Sequence, residues 1–532
     1  MTEASEAVRP SRARDQKKTA VLVLLLVCGV ADARRDRTVS GDLIKAARFV
    51  QSSRLDDARA LLVDLEKRAP DTAEVKWLKA ELAFQTGDYA AAVKLLDKLP
   101  DAAVEGLVGQ TRKLAASTLA VTESFVEVKS PKGHFVIRHA PGPDAAIATL
   151  AGEVLDSAWA TIGEDLGQKP VDAIRVELLG APSDLAKLSP LTEAEIETTG
   201  TIALSKYNKL MVVSPRATIF GYPWMDTLAH EYTHLVVSRL ANDSVPVWLQ
   251  EGLARFEQTR WRKAPALQLS ATEQAILGGA LKKGRLITFD EMHPSMAKLP
   301  SQDAAALAYA EVYTLVGWMH TKIGYKGIRE AIGAQRDGKS ARRAVAEAIG
   351  SSWPAVERAW KVNLKVDART STPARAGKPI KFGKGGADSE NIGLEQVNTR
   401  ARKHARLGGM LRARGALAAA VAEYEKALAT GHDPFVAGKL ARTLVELGRH
   451  ERAIELASPL VAADDHDAVA AVTLGIARSA RKEWPQAIVA FEQALRVSPF
   501  DPTTRCGLAE AYARATDSRA ARERAACDLV KH

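Results

Sequence analysis

The sequence predicts a mainly α chain with a small mixed β-sheet, the sheet confined to the middle of the chain and flanked on each side by helical repeats. Three observations predict it. Related frames recur at a regular spacing near both ends. Period-two alternation of apolar and polar residues is concentrated between residues 124 and 213. Soon after that stretch comes a helical run from Thr227 to Leu240, free of Pro and Gly, that carries His230-Glu-Tyr-Thr-His234. A length of 532 residues calls for three or four domains, and an apolar share of 46% beside 26% charged residues is that of a globular chain.

Residues 1–33 read as a signal peptide. Arg9, Arg12, Arg14, Lys17 and Lys18 precede an apolar run from Thr19 to Val30, and Ala31-Asp32-Ala33 supplies an A-x-A cleavage site. The run is short for a membrane span, so cleavage is expected and an uncleaved N-terminal membrane anchor is the alternative. The expected address is exported, periplasmic or secreted, with inner-membrane anchoring as runner-up. Cys28 follows Val27, not a small residue, and makes a poor lipidation site. Export leaves Cys506 and Cys527 in an oxidising compartment. They read equally well as a disulfide stapling the last helical pair or as two buried thiols.

The repeats come next. Leu55-Asp-Asp-Ala-Arg-Ala-Leu-Leu returns as Tyr89-Ala-Ala-Ala-Val-Lys-Leu-Leu. Near the other end Ala420, Ala453, Ala487 and Ala521 recur at intervals of 33, 34 and 34 in similar frames. This is the tetratricopeptide (TPR) period, one helix-turn-helix per repeat with a small residue where the helices approach closely. TPR-type repeats are expected over 41–118 and 401–532, with a protein partner on the concave face. The net charge of +10 comes without a long basic stripe interleaved with aromatics, so nucleic acid is not an expected partner. The positive balance reads as a diffuse solvated surface, with weak attraction to acidic surfaces as the lesser reading.

Between the repeats, Ser124 to His139 alternates around Pro131-Lys-Gly133 and reads as a β-hairpin. Ala145 to Leu166 reads as a helix and Ile174 to Leu179 as a strand. Thr201 to Leu204 and Lys209 to Val213 read as two strands around a Ser-Lys-Tyr-Asn turn. From Glu251 to about Lys365 the chain is mainly helical. Residues 366–400 are rich in Gly, Lys and Ser, contain Pro373 and Pro379, show no apolar period, and read as a flexible linker.

The chemistry is concentrated in two short segments. On a helix His230 and His234 are four apart and project from one face, a spacing that lets both imidazoles reach one tetrahedral metal ion. Glu231 beside them can take a proton from a metal-bound water. A catalytic zinc site needs a third protein ligand and an open position. Pro246 breaks the helix, a second helix opens near Val247, and Glu251, seventeen positions after His234, returns towards the histidines.

His-Glu-x-x-His followed by Pro246, Trp248, Leu249, Glu251, Gly252 and Ala254 resembles the gluzincin metallopeptidases, the group that contains thermolysin and the aminopeptidase N family. It is most similar to the peptidase MA-like proteins that carry TPR repeats. The resemblance covers about residues 122–365 and implies a thermolysin-like (gluzincin) catalytic domain there, next to a small sheet whose edge strand pairs with an extended substrate. It further implies zinc at His230, His234 and Glu251, with Glu231 as general base. It supplies an oxyanion donor from a later helix, where Tyr309 corresponds to the aminopeptidase Tyr in its separation from Glu251. Tyr313 shares its helix face and stays open as the alternative. The aminopeptidases hold the substrate amine with a carboxylate-bearing Gly-Ala-Met-Glu-Asn segment. The corresponding stretch here, Gly200 to Lys209, has no carboxylate.

The sequence therefore reads as an exported zinc metallopeptidase acting on peptide or protein substrates, endopeptidase before aminopeptidase. A catalytically silent peptidase-fold TPR scaffold is the alternative. Asp226, one turn before His230, and Glu257, shortly after Glu251, read either as partners of the metal ligands or as solvated surface charges. His134, His139 and His320 read as ordinary structural residues.

Overall fold

A computed structural model describes residues 37–99, 107–262, 269–293, 295–296, 299–364, 380–383 and 394–531. The expected signal peptide and most of the expected linker lie outside these residues. The chain divides into two compact units. One comprises the chain to Glu123 with Lys187–Pro190 and Tyr207–Lys209; the other comprises the remainder.

The first unit contains helices α1 (Arg37–Gln51), α2 (Leu55–Arg68), α3 (Ala73–Thr86), α4 (Tyr89–Leu96) and α5 (Leu107–Thr122). The turn between α3 and α4 is chemically specified. Gly87 takes φ +86°, which ends α3, and Asp88 caps α4 by accepting the Ala91 N–H. Ala58 and Ala92, one repeat apart, are both fully buried, as the repeat period requires. Leu43, Leu62, Leu65, Leu78, Phe84 and Leu96 form this unit's own core.

The second unit opens with a five-stranded sheet, order β1-β2-β3-β5-β4. The strands are β1 (Val126–Lys129), β2 (Phe135–His139), β3 (Ile174–Leu179), β4 (Ala203–Lys206) and β5 (Lys209–Val213). β1 and β2 are antiparallel. β2 and β3 are parallel and are joined, as that pairing demands, by a helical crossover, α6 (Ala145–Asp165). Two short helices, α7 (Pro182–Leu188) and α8 (Glu193–Thr199), lie between β3 and β4. β4 begins two positions later than its composition suggests. The turn is Tyr207-Asn208 alone, both with positive φ (53° and 57°), so Ser205 and Lys206 stay in the strand.

The sheet is followed by α9 (Trp224–Ala241), α10 (Val247–Glu257), α11 (Ala271–Lys282), α12 (Gln302–Arg336), α13 (Ala341–Ile349) and α14 (Trp353–Asn363). Part of the stretch expected to be a linker is paired. Phe382 bridges Thr218 antiparallel, and the Ile219 N–H donates to the Lys381 carbonyl at 2.9 Å, just ahead of α9.

Eight helices then form four TPR-type hairpins: α15 (Thr399–Ala413), α16 (Leu417–Ala429), α17 (Pro434–Glu446), α18 (His450–Ala463), α19 (Ala468–Ala480), α20 (Trp484–Leu495), α21 (Pro502–Arg514) and α22 (Ala520–Lys531). Ala420, Ala453 and Ala487 are fully buried, each in the first turn of its helix. Ala521 departs from this pattern and is exposed. The equivalent place on α22 is taken by Glu523, 2% exposed, which pairs at 2.8 Å with the wholly buried Arg505. A buried ion pair has replaced the small residue in the last repeat. The array is also not a separate body. Ala487, Phe491, Leu495, Leu508, Ala511 and Tyr512 belong to the same core as the sheet, α6, α9 and α12.

Candidate metal centre

α9 buries Leu228, Tyr232, Leu235 and Val236, and Tyr232 meets Phe135 of β2 edge-to-face at 5.5 Å. That packing leaves the His230 and His234 side of the helix for chemistry. Asn242 (φ 50°) and Asp243 (φ 57°) end the helix in the left-handed region that these side chains tolerate. Pro246 then precedes α10, which packs against α9 and carries Glu251 back to the histidines.

The three side chains meet. His230 Nε2 and His234 Nε2 are 3.1 Å apart, and Glu251 Oε2 lies 3.4 Å from the first and 3.5 Å from the second. Zinc bonds of 2.0–2.1 Å in a tetrahedron place neighbouring ligand atoms about 3.3 Å apart. The triangle therefore has the size of one face of a zinc tetrahedron, and its donors, two imidazoles and one carboxylate, suit that ion. It is the sole cluster of this type among the described residues. Burial alone pushes Glu251 up, but the two imidazoles hold it well below the usual carboxylate range. Burial alone pushes His234 down, and the Glu251 carboxylate in front of it reverses this, to about 9.

Glu231 is 7% exposed and faces the same space. Burial raises its pKa, while His234, His230 and a hydrogen bond from the Ser205 backbone of β4 act against the rise. The net shift is upward, with burial as its main cause. Tyr309 and Tyr313 separate clearly. The Glu251 carboxylate is the largest influence raising Tyr309, followed by burial and Glu231, which puts this residue within electrostatic reach of the site. Burial is the main influence on Tyr313, which senses Arg255 and Glu273 and packs at 6.1 Å on Phe256.

Gly252 explains how α12 comes near enough to deliver Tyr309. A Cβ at that position would lie 2.8 Å from Val316 Cγ2 and 2.9 Å from the Val312 carbonyl oxygen. Only a glycine lets the α12 backbone seat against α10 beside Glu251. Gln250 is the residue that sequence reasoning missed. Its amide donates to the Val245 carbonyl at 3.0 Å, and its side chain lies close enough to the His234 ring to help raise its pKa. Adjacency to Glu251 was its sole signal.

Residues 155–366 match the family model of the Peptidase MA superfamily. The chain carries a Peptidase MA superfamily domain. Residues 45–104 and 439–502 match the tetratricopeptide repeat. No curated protein sequence is similar enough to count as a match. Among solved structures the chain is similar to MamA AMB-1, at 22% identity over 26% of this chain and 85% of that one with a TM-score of 0.23. It is also similar to native yeast LTA4 hydrolase, at 10% identity over 76% of this chain and 64% of that one with a TM-score of 0.32. At these scores neither likeness bears on function.

Within the peptidase MA domain Asp226 and Glu257, read from sequence as either partners of the metal ligands or solvated charges, are buried and engaged elsewhere. Asp226 is 2% exposed and engages groups other than His230. It accepts from Trp261 Nε1 at 2.7 Å and from Arg262, with His466 of the α18–α19 loop 3.6 Å away. Arg262 in turn meets Asp465 at 2.6 Å, and Arg496 meets the same carboxylate at 2.8 Å. Trp224 Nε1 donates to the Leu495 carbonyl at 3.0 Å, and Gly221 (φ 68°) is packed so closely that a Cβ would lie 2.1 Å from the Val497 oxygen. The first turn of the metal-site helix is thus bolted to the C-terminal repeats. Glu257 is fully buried against Asp165, Tyr325 and Arg260, where burial and the Asp165 carboxylate raise it to about 8.

Proposed function

We propose that this chain is an exported, zinc-dependent peptidase that cleaves extended protein or peptide substrates internally. The triangle of His230, His234 and Glu251, with sides of 3.1–3.5 Å and the dimensions of a zinc tetrahedron, carries the reading. Zinc, when bound there, supplies Lewis acidity and water of lowered pKa. Glu231 accepts the proton of the attacking water and returns it to the leaving amine. Tyr309 donates its hydroxyl to the oxyanion that develops on the scissile carbonyl. Gln250, beside His234, helps to hold that ring. β4 ends the sheet order, and its Ser205 lies beside Glu231, so an extended substrate paired along that edge passes the catalytic groups. The absence of a carboxylate between Gly200 and Lys209 removes the usual holder of a free amine and favours internal cleavage. The Cys506–Cys527 bond supports an oxidising compartment, and the repeats supply surfaces for a protein partner.

The test combines metal analysis with peptide-library cleavage. The wild type should carry about one zinc per chain and lose cleavage on chelation, with recovery on adding zinc back. Glu231→Gln should retain zinc and lose hydrolysis, because an amide cannot accept the proton. Glu251→Ala should lose zinc affinity as well. Cleavage that survives chelation, or an undiminished Glu231→Gln, would overturn the proposal.

A further inference from the structure

The positive charge of this chain is not spread evenly. Residues 365–416 contain twelve basic and four acidic side chains, +8 of the chain's total of +10. The helical part of that stretch, α15, together with the turn that follows it through Ala416, contains Arg400, Arg402, Lys403, Arg406, Arg412 and Arg414 and no acidic residue. These side chains divide into two sets. Arg402 donates to the Glu395 and Val397 carbonyls and Arg412 pairs with Glu446 at 2.7 Å, so both are tied into the repeat. Arg400, Lys403, Arg406 and Arg414 are exposed and have no partner among the described residues.

At 100° per residue Arg400, Lys403, Arg406, Leu407, Met410 and Arg414 fall within one third of the helix circumference. Leu407 is 43% and Met410 47% exposed, two large apolar side chains three positions apart on the same face. Ala401, Ala405 and Gly408 on the opposite side are buried, and Gly408 lies so close to the Tyr424 ring that a Cβ would meet it at 2.9 Å. The helix is therefore held firmly from behind. Its outer face is that of the first helix in the array, with no preceding repeat against it among the described residues.

We infer that this face of α15 docks on an anionic lipid surface, with the four cations in the headgroup layer and Leu407 and Met410 entering its apolar margin. The face is convex along a helix about 22 Å long. Cations ringing two long flexible apolar side chains match the two things a leaflet presents, negative charge and a shallow apolar boundary. No described helix is long and apolar enough to cross a membrane, so the contact is peripheral. The inference stands apart from the peptidase reading, and none of its residues belongs to the metal centre.

The experiment is flotation of the full-length chain with vesicles of phosphatidylcholine alone or with phosphatidylglycerol at about one third, a composition whose negative surface potential attracts basic side chains within a Debye length. Binding is expected on the anionic vesicles only, weakening as salt is raised. Lys403→Glu with Arg406→Glu should reduce the partition coefficient at least tenfold, and Leu407→Ser with Met410→Ser, which leaves charge untouched, at least threefold. All four positions are exposed, so melting temperature and peptide cleavage should be unchanged. Failure to bind anionic vesicles at low salt overturns the inference. So does binding indifferent to both double variants. If a polyglutamate peptide competes fully for the face and the apolar variants change nothing, the partner is an acidic protein and the lipid proposal fails.

Discussion

Replacing Tyr309 by Phe removes one oxygen atom from a position whose environment is well defined. The Glu251 and Glu231 carboxylates both raise the Tyr309 pKa, and its hydroxyl has no hydrogen-bond partner among the described residues. Its removal therefore breaks no bond of the resting protein, and the folded state should lose well under about 1 kcal/mol. The transition state is another matter. A donor aimed at a developing oxyanion is worth about 2.7–4 kcal/mol, which at 1.36 kcal/mol per decade is a loss of about a hundredfold or more in kcat. Because the interaction strengthens only as charge develops, kcat and kcat/KM should fall together while KM changes little. Tyr313→Phe is the control. Its ring lies beside Arg255, Glu273 and Phe256, so its turnover should stay within about twofold of the wild type. Single-turnover cleavage of a fluorogenic peptide, with zinc content and melting temperature measured on the same preparations, separates these effects. Wild-type turnover in Tyr309→Phe together with a large loss in Tyr313→Phe would refute the geometric assignment.

Three further outcomes follow from buried groups near the site. Glu257 has a folded-state pKa raised to about 8 from an ordinary 4.5, so its contribution to stability is full below the unfolded value and is lost as pH rises through 8. Between pH 6 and 9 this amounts to about 3 kcal/mol, and Glu257→Gln, which cannot ionise, should flatten that part of the denaturation-midpoint profile. Gly252→Val should force α12 away from α10, costing about 1–3 kcal/mol and lowering turnover by displacing Tyr309, whereas zinc content should hold because the three ligands lie on α9 and α10. Asp226→Ala should leave Arg262 without its more deeply buried partner, at a cost of about 3–5 kcal/mol read as an early thermal transition.

The parts of this protein that sequence revealed are those set by local chemistry. The i, i+4 histidines, the Pro246 break and the repeat period each depend on residues within one or two turns, and helix and corner follow from them. Other features depend on residues far along the chain. Asp226 and Glu257 resemble surface charges because acidic residues near helix ends commonly are. Their partners come from distant segments: His466 and, through Arg262, Asp465 in one case, Asp165 and Tyr325 in the other. The start of β4 is obscured in the sequence because Tyr207 is an uncommon residue at positive φ, whereas the Asn208 beside it is an ordinary turn signal. Ala521 misled for a related reason. The spacing of three preceding alanines continues through it, but the last repeat seats Glu523 at the buried position, and only the fold reveals that Arg505 is there to receive it.

The positions of these buried contacts give the C-terminal array a direction. At one end, the carbonyls of Leu495 and Val497 hold the approach to α9, Arg505 donates to the Ala146 carbonyl of α6 at 3.0 Å, and Phe491 and Leu508 share the sheet's core. Those hairpins brace the helix that carries His230 and His234, which is the support a site needs if its donor atoms are to stand at ligand distances before any ion arrives. At the other end the buried residues of α15 belong to a core made by the array's own first hairpins, and the helix turns Leu407, Met410 and its cations outward. An array that merely tethered a partner would need neither arrangement. The last hairpins are fixed to the helix that carries His230 and His234, and the positive charge of the chain is concentrated beside the first.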